Sequence, residues 1–187
     1  MELIPEQNFL LVAFQVEDWN RDFSPWKAPA AFGTEGFSGQ GVETLRWLTE
    51  ECVPYIDQTF GTKEQEHWLM GYSLAGLFAL WAAYESNVFP GIVCCSGSLW
   101  FQDWNTYVRE HTLQSKCNIY LSLGGKEEKT KNKVMATVGN GTREQKKILQ
   151  EDSMAERVIL EWNTGGHFAD SGKRLAKGIR WLFEMQV

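Results

Sequence analysis

The sequence predicts an α/β fold, a three-layer α/β/α sandwich around a mostly parallel sheet of about five strands. Three observations predict it. Short apolar runs of strand length alternate along the chain with stretches whose apolar residues recur every three or four positions, the pattern of strands joined by crossover helices. The first such run, residues 9–16 (F-L-L-V-A-F-Q-V), is almost continuously apolar, as suits a strand covered on both faces. The length, 187 residues, suits a single domain over 1–187, and no repeat or low-complexity tract divides it.

The elements follow in order. After the strand at 9–16 comes an irregular stretch, 17–38, with Pro25, Pro29, Gly33 and Gly36; a connection this long in a compact domain is expected to line a pocket. A helix is expected over 39–51, where Val42, Leu45, Leu48 and Cys52 share a face, and Pro54 ends it or restarts a short turn. Residues 67–72 read as a strand and 74–85 as a helix apolar nearly all round, hence deeply buried. Residues 91–96 are a strand, 102–112 a helix, and 117–123 a strand ended by Gly124 and Gly125. One or two exposed helices are expected in 126–152, broken at Gly139-Asn140-Gly141. A last strand at 157–162 precedes an amphipathic helix at 168–185, with Leu175, Ile179, Leu182 and Phe183 on one face.

Composition removes several classes of function. The net charge of −6 argues against a nucleic-acid partner, which needs a basic surface to meet phosphates. No apolar run approaches the roughly 20 residues that span a bilayer, and the first residues lack a signal peptide's basic start and apolar centre. A cytoplasmic location without membrane contact is expected. Cys94 and Cys95 are adjacent within an apolar run and no C-x-x-C pair exists, so the cysteines read as reduced packing residues. No metal or organic cofactor is implied.

The strongest local signal is Gly71-Tyr72-Ser73-Leu74-Ala75-Gly76 between an apolar strand and an apolar helix. That is the setting of a nucleophile elbow, a turn so tight that the neighbours of the nucleophile must be small, as Gly71, Ala75 and Gly76 are. There the Leu74 N–H, at the helix N-terminus, can face a developing oxyanion. The plainer reading makes Ser73 an N-cap.

Three histidines are candidates for the base. His67 opens the strand that ends at Ser73, on the order of 20 Å away at the rise of a strand. His111 ends a polar helix and reads as a surface residue. His167 follows the last strand in a glycine-rich loop, at the sheet end where ligands bind in open α/β folds, and it comes after Ser73 in the order nucleophile, acid, histidine. The acid should fall between them. Glu127 ranks first, then Glu128, then Asp103, each after a strand's carboxyl end.

These residues resemble a known family. The segments 52–57 (C-V-P-Y-I-D), 71–79 (G-Y-S-L-A-G-L-F-A), 96–100 (S-G-S-L-W), 120–127 (Y-L-S-L-G-G-K-E) and 165–168 (G-G-H-F) are similar in order and spacing to the esterase D and enterochelin-esterase-like branch of the α/β-hydrolases. The resemblance covers most of the chain. It implies a minimal α/β-hydrolase fold with Ser73 as nucleophile, His167 as base and Glu127 as acid. It also implies a departure. The family normally places two or three strands ahead of the one that 9–16 resembles, and a loop after one of them donates the second oxyanion N–H. No counterpart precedes residue 9, so the segment 17–19, ending in Trp19, is the candidate for that role.

The resulting expectation is a serine hydrolase, a carboxylesterase working through an acyl-enzyme on a small-molecule ester. The alternative is a non-catalytic or weakly active hydrolase-fold binding protein with an incomplete oxyanion hole. Trp100, Trp26 and Tyr72 are the candidate substrate contacts. An exposed sheet edge is expected to allow pairing into a homo-oligomer. Finally, seven Lys or Arg against three Glu between Lys126 and Lys147 mark a basic segment beside the proposed acid.

Overall fold

The computed structural model describes residues 8–185. In chain order these form α1 (Trp19–Asp22), the two-residue strands β1 (Lys27–Ala28) and β2 (Phe37–Ser38), α2 (Gly41–Trp47), a π-helical turn (Leu48–Cys52), α3 (Val53–Phe60), β3 (Trp68–Tyr72) and α4 (Leu74–Glu85). They continue through β4 (Gly91–Cys95), α5 (Trp104–Glu110), β5 (Cys117–Gly124), two 3₁₀ turns (Glu127–Lys129 and Met135–Thr137), α6 (Val138–Glu151), β6 (Ala155–Asn163) and α7 (Ser171–Met185).

The main sheet has four parallel strands in the order β3-β4-β5-β6. Side chains alternate across it. Ile92 and Cys94 of β4 join the large core containing α4, whereas Val93 and Cys95 face the smaller core closed by Leu182 of α7. α4 is apolar all round because it is enclosed: Leu77, Leu80 and Ala82 have no exposed surface. Three layers therefore converge on the carboxyl ends of β3, β4, β5 and β6.

Four sequence expectations are corrected. Residues 9–16 form no strand among the described residues, so the main sheet has four strands rather than about five. Phe9, Leu10, Leu11 and Val12 are exposed; Phe9 packs on Phe183, and Phe14 packs on Phe23 and Trp47. Apolarity alone does not distinguish a paired strand from an extended segment anchored by its rings. The 17–38 stretch is not wholly irregular, since it holds α1 and the antiparallel pair β1–β2. The helix from Gly41 runs past Pro54: the π turn immediately before α3 widens the backbone where the proline ring would crowd the carbonyl of Glu50. Gly139 and Gly141 do not break α6. A Cβ on Gly141 would stand 2.4 Å from the Leu99 carbonyl oxygen, so this glycine permits close packing within the helix.

The cysteines are free, and burial pushes the Cys95 and Cys117 thiols up to about 12, which keeps them protonated and inert. No helix among the described residues is long and apolar enough to cross a membrane.

Candidate active site

Ser73 joins β3 to α4 at φ 60° and ψ −124°, a conformation costly for any residue with a Cβ. The neighbours over-determine it. Ser73 N–H donates to the Cys95 carbonyl at 3.0 Å, and the Ser73 carbonyl accepts from Leu77 N–H at 3.0 Å and Ser98 N–H at 3.1 Å. The turn is closed so tightly that a Cβ on Gly71 would lie 2.1 Å from the Ala75 carbonyl oxygen. The hydroxyl makes no cap bond to α4, against the N-cap reading. It lies 3.1 Å from His167 Nε2 instead.

His167 sits in the loop between β6 and α7. Its Nδ1 is 2.7 Å from Glu127 Oε2, and its backbone carbonyl accepts the Tyr72 hydroxyl proton at 2.6 Å. With Nε2 facing the Ser73 hydroxyl, the productive tautomer carries its proton on Nδ1, donated to Glu127.

Glu127 begins the 3₁₀ turn after β5 and is buried. Its two oxygens have separate partners. Oε2 faces His167, while Oε1 accepts from Ser96 Oγ at 2.7 Å, Gly124 N–H at 2.7 Å and Arg174 Nη1 at 3.0 Å. Burial pushes this carboxyl up, but the hydrogen bonds from His167, Ser96 and the Gly124 N–H outweigh burial and hold it below its ordinary value. Gly124 is needed for close approach: a Cβ there would stand 2.8 Å from Glu127 Oε1 and 2.7 Å from the Gly165 carbonyl oxygen.

The rival residues are engaged elsewhere. Glu128 forms a two-pronged surface pair with Arg143 at 3.0 and 3.1 Å, whose hydrogen bonds lower its pKa. Asp103 precedes α5 and accepts from the Gln102 amide. His111 stacks on Tyr107 and bonds its carbonyl, and His67 pairs with Asp57.

The expected substrate contacts divide. Tyr72 spends its hydroxyl on the His167 carbonyl, and burial raises its pKa, so it remains a donor that braces the histidine loop. Trp26 packs the early loop down, stacking on Trp104 and donating Nε1–H to the Gln102 carbonyl. Trp100 is half-buried between Phe37 and Phe101, two residues past Ser98, whose N–H holds the elbow. Trp19 meets Phe23 edge-on in α1. The Leu74 N–H is the first of α4 and, like the other N–H groups of the first turn, has no acceptor within the helix. Among the described residues, no three His, Cys, Asp or Glu side chains converge as a metal would require.

Sequence reasoning missed Ser96 and Arg174. Ser96 leaves β4 at φ 46°, invisible in sequence. Arg174 did carry a signal, a cation on the same helical stripe as Gly178 and Leu182 of α7.

The sequence family described as "Putative esterase" matches residues 4–169. No curated protein matches the sequence. Among solved structures, the siderophore hydrolase EstA from Aspergillus nidulans superposes with a TM-score of 0.75 at 18% identity, over 90% of this chain and 67% of its own. EstB from the same organism gives 0.69 at 16%, over 88% and 64%. An IroE-like serine hydrolase from Shewanella oneidensis gives 0.70 at 17%, over 88% and 56%. The chain thus spans about two thirds of these structures or less, and at such identities the likeness shows the fold, that of the α/β-hydrolases.

Proposed function

Since the chain belongs to this esterase family, we propose that it is a serine hydrolase that cleaves a small-molecule carboxylic ester through an acyl-enzyme. One observation carries the reading: Ser73 Oγ, His167 and Glu127 form a continuous hydrogen-bonded line, 3.1 Å and then 2.7 Å, on a strained elbow. In the first half-reaction Ser73 Oγ attacks the ester carbonyl carbon while His167 Nε2 takes its proton. Glu127 holds the imidazole's tautomer and balances the imidazolium. The Leu74 N–H faces the oxyanion, with the backbone at Trp19 the candidate second donor. Collapse expels the alcohol, which receives the proton from His167. Water then repeats the sequence on the acyl-Ser73 ester, releasing the acid.

Trp100 is the aromatic we assign to the pocket wall, and the reaction needs no cofactor. We place the protein in the cytoplasm. A weakly active binding protein is the second reading, in which the Leu74 N–H of the elbow acts without a second oxyanion donor. A missing donor costs about a hundred- to a thousandfold in rate. Hydrolysis of p-nitrophenyl esters of graded chain length tests the proposal. Turnover that disappears in Ser73→Ala supports it; no turnover above that variant with any ester favours the binding protein.

A further inference from the structure

Arg174 is the only buried cation among the described residues, with 1% of its surface exposed. A guanidinium taken out of water needs good acceptors, and here both Nη nitrogens have them while Nε has none among the described residues. Here the acceptors come from four separate parts of the chain. Nη1 lies 3.0 Å from Glu127 Oε1, 2.8 Å from Ser96 Oγ and 3.1 Å from the Tyr72 hydroxyl. Nη2 donates to the Gly166 carbonyl at 3.0 Å and the Thr164 carbonyl at 3.3 Å. Those carbonyls flank Gly165 in the loop that delivers His167. The Ser96 and Tyr72 hydroxyls give their own protons to Glu127 and to the His167 carbonyl, so both are oriented to accept from Arg174. One rigid fork thus ties together the acid, the ends of β3 and β4, and the loop bearing the base.

We propose that Arg174 is a positioning residue for the triad: it occupies Glu127 Oε1, leaving Oε2 for His167, and pins the 164–166 loop so that the imidazole stays aligned with Ser73. The inference rests on the serine-hydrolase reading for its catalytic consequence, but not for its geometric one. A carboxylate free to rotate would offer His167 either oxygen, and a loop without its two carbonyl contacts would let the ring drift. Lysine cannot replace this fork. Its single nitrogen can meet the carboxylate but cannot also span to both loop carbonyls.

The test compares wild type, Arg174→Lys and Arg174→Met by two readouts. The first is the downfield proton NMR signal of the hydrogen shared by His167 Nδ1 and Glu127 Oε2, identified by its loss in His167→Gln. The second is kcat and KM for a p-nitrophenyl ester. The proposal expects Arg174→Met to lose the downfield signal and about a hundredfold in kcat, the scale of a 1 Å misplacement, with KM unchanged. Arg174→Lys should stay folded, broaden the signal and lose less kcat, and it decides the question if Arg174→Met does not fold. A folded variant that keeps both the signal and wild-type kcat overturns the proposal, as does a rise in KM at constant kcat. If the wild type turns over no ester yet the signal depends on Arg174, the positioning role stands and the esterase reading falls.

Discussion

At the scale of single residues, the site is a problem of keeping one carboxylate charged in a buried place. Glu127 manages this by hydrogen bonding, and the consequence is a pH-dependent stability. Its folded pKa lies below the unfolded value of about 4.3. The stabilisation is therefore complete above that pH and is lost as pH falls through the folded value. Thermal melts of wild type and Glu127→Gln should differ most at neutral pH and converge on acidification; a gap that widens in acid would contradict the assigned charge. For the base, His167→Ala should lower kcat by about 10⁴-fold or more. His111→Ala should leave turnover intact, because among the described residues that ring bonds the Tyr107 carbonyl and stacks on its ring. The meeting of Ser73 with His167 was legible in the sequence, since a tight turn demands small neighbours and only one histidine follows a strand's carboxyl end. The carboxylate that meets His167 was legible only as a ranking, because adjacent glutamates differ in direction rather than in chemistry. Arg174 was not read, because an arginine on an amphipathic helix usually faces water and its acceptors lie far apart in sequence.

At the scale of elements, backbone closeness governs the site. The elbow brings β3 and α4 together with no room at Gly71, where an added Cβ meets a backbone carbonyl at 2.1 Å. Gly71→Ala should cost about 3 kcal/mol, the upper range for overpacking, read as a fall in Tm. Gly124→Ala should act differently, pressing on Glu127 and Gly165 at 2.8 and 2.7 Å and reducing kcat more than stability. The tryptophans separate in the same way. Trp26→Ala should lower Tm with KM unchanged, since its ring plugs the loop against Trp104. Trp100→Ala should shift KM or chain-length preference more than Tm, and the reverse pattern would make Trp100 a core residue. Helices and central strands were legible because their periodicity reflects the layer they bury. The glycines of α6 were misread as a break, since a close contact with Leu99 leaves no mark in the local sequence.

At the scale of the whole molecule, charge is unevenly spread. The chain is net −6, yet among the described residues no ion pair holds Lys126, Lys129, Lys131 or Lys133, which are exposed in the segment after β5. Asn132 ties that segment to the β1–β2 loop through the Ala31 carbonyl at 2.6 Å. Exposed charge acts over about 8 Å at physiological salt. If the segment attracts substrate, kcat/KM for a carboxylated ester should fall with salt more steeply than for a neutral one, and Lys129→Glu with Lys131→Glu and Lys133→Glu should remove the difference. Equal salt dependence in the wild type would leave the segment a solvated face. The central claim is that the fold makes Ser73 nucleophilic through His167, and labelling with a fluorophosphonate, located by mass spectrometry, tests it most directly. The account predicts one adduct, on Ser73, formed by folded wild type and strongly slowed in His167→Ala. An unlabelled Ser73 in the folded protein, or labelling as fast without His167, would contradict it.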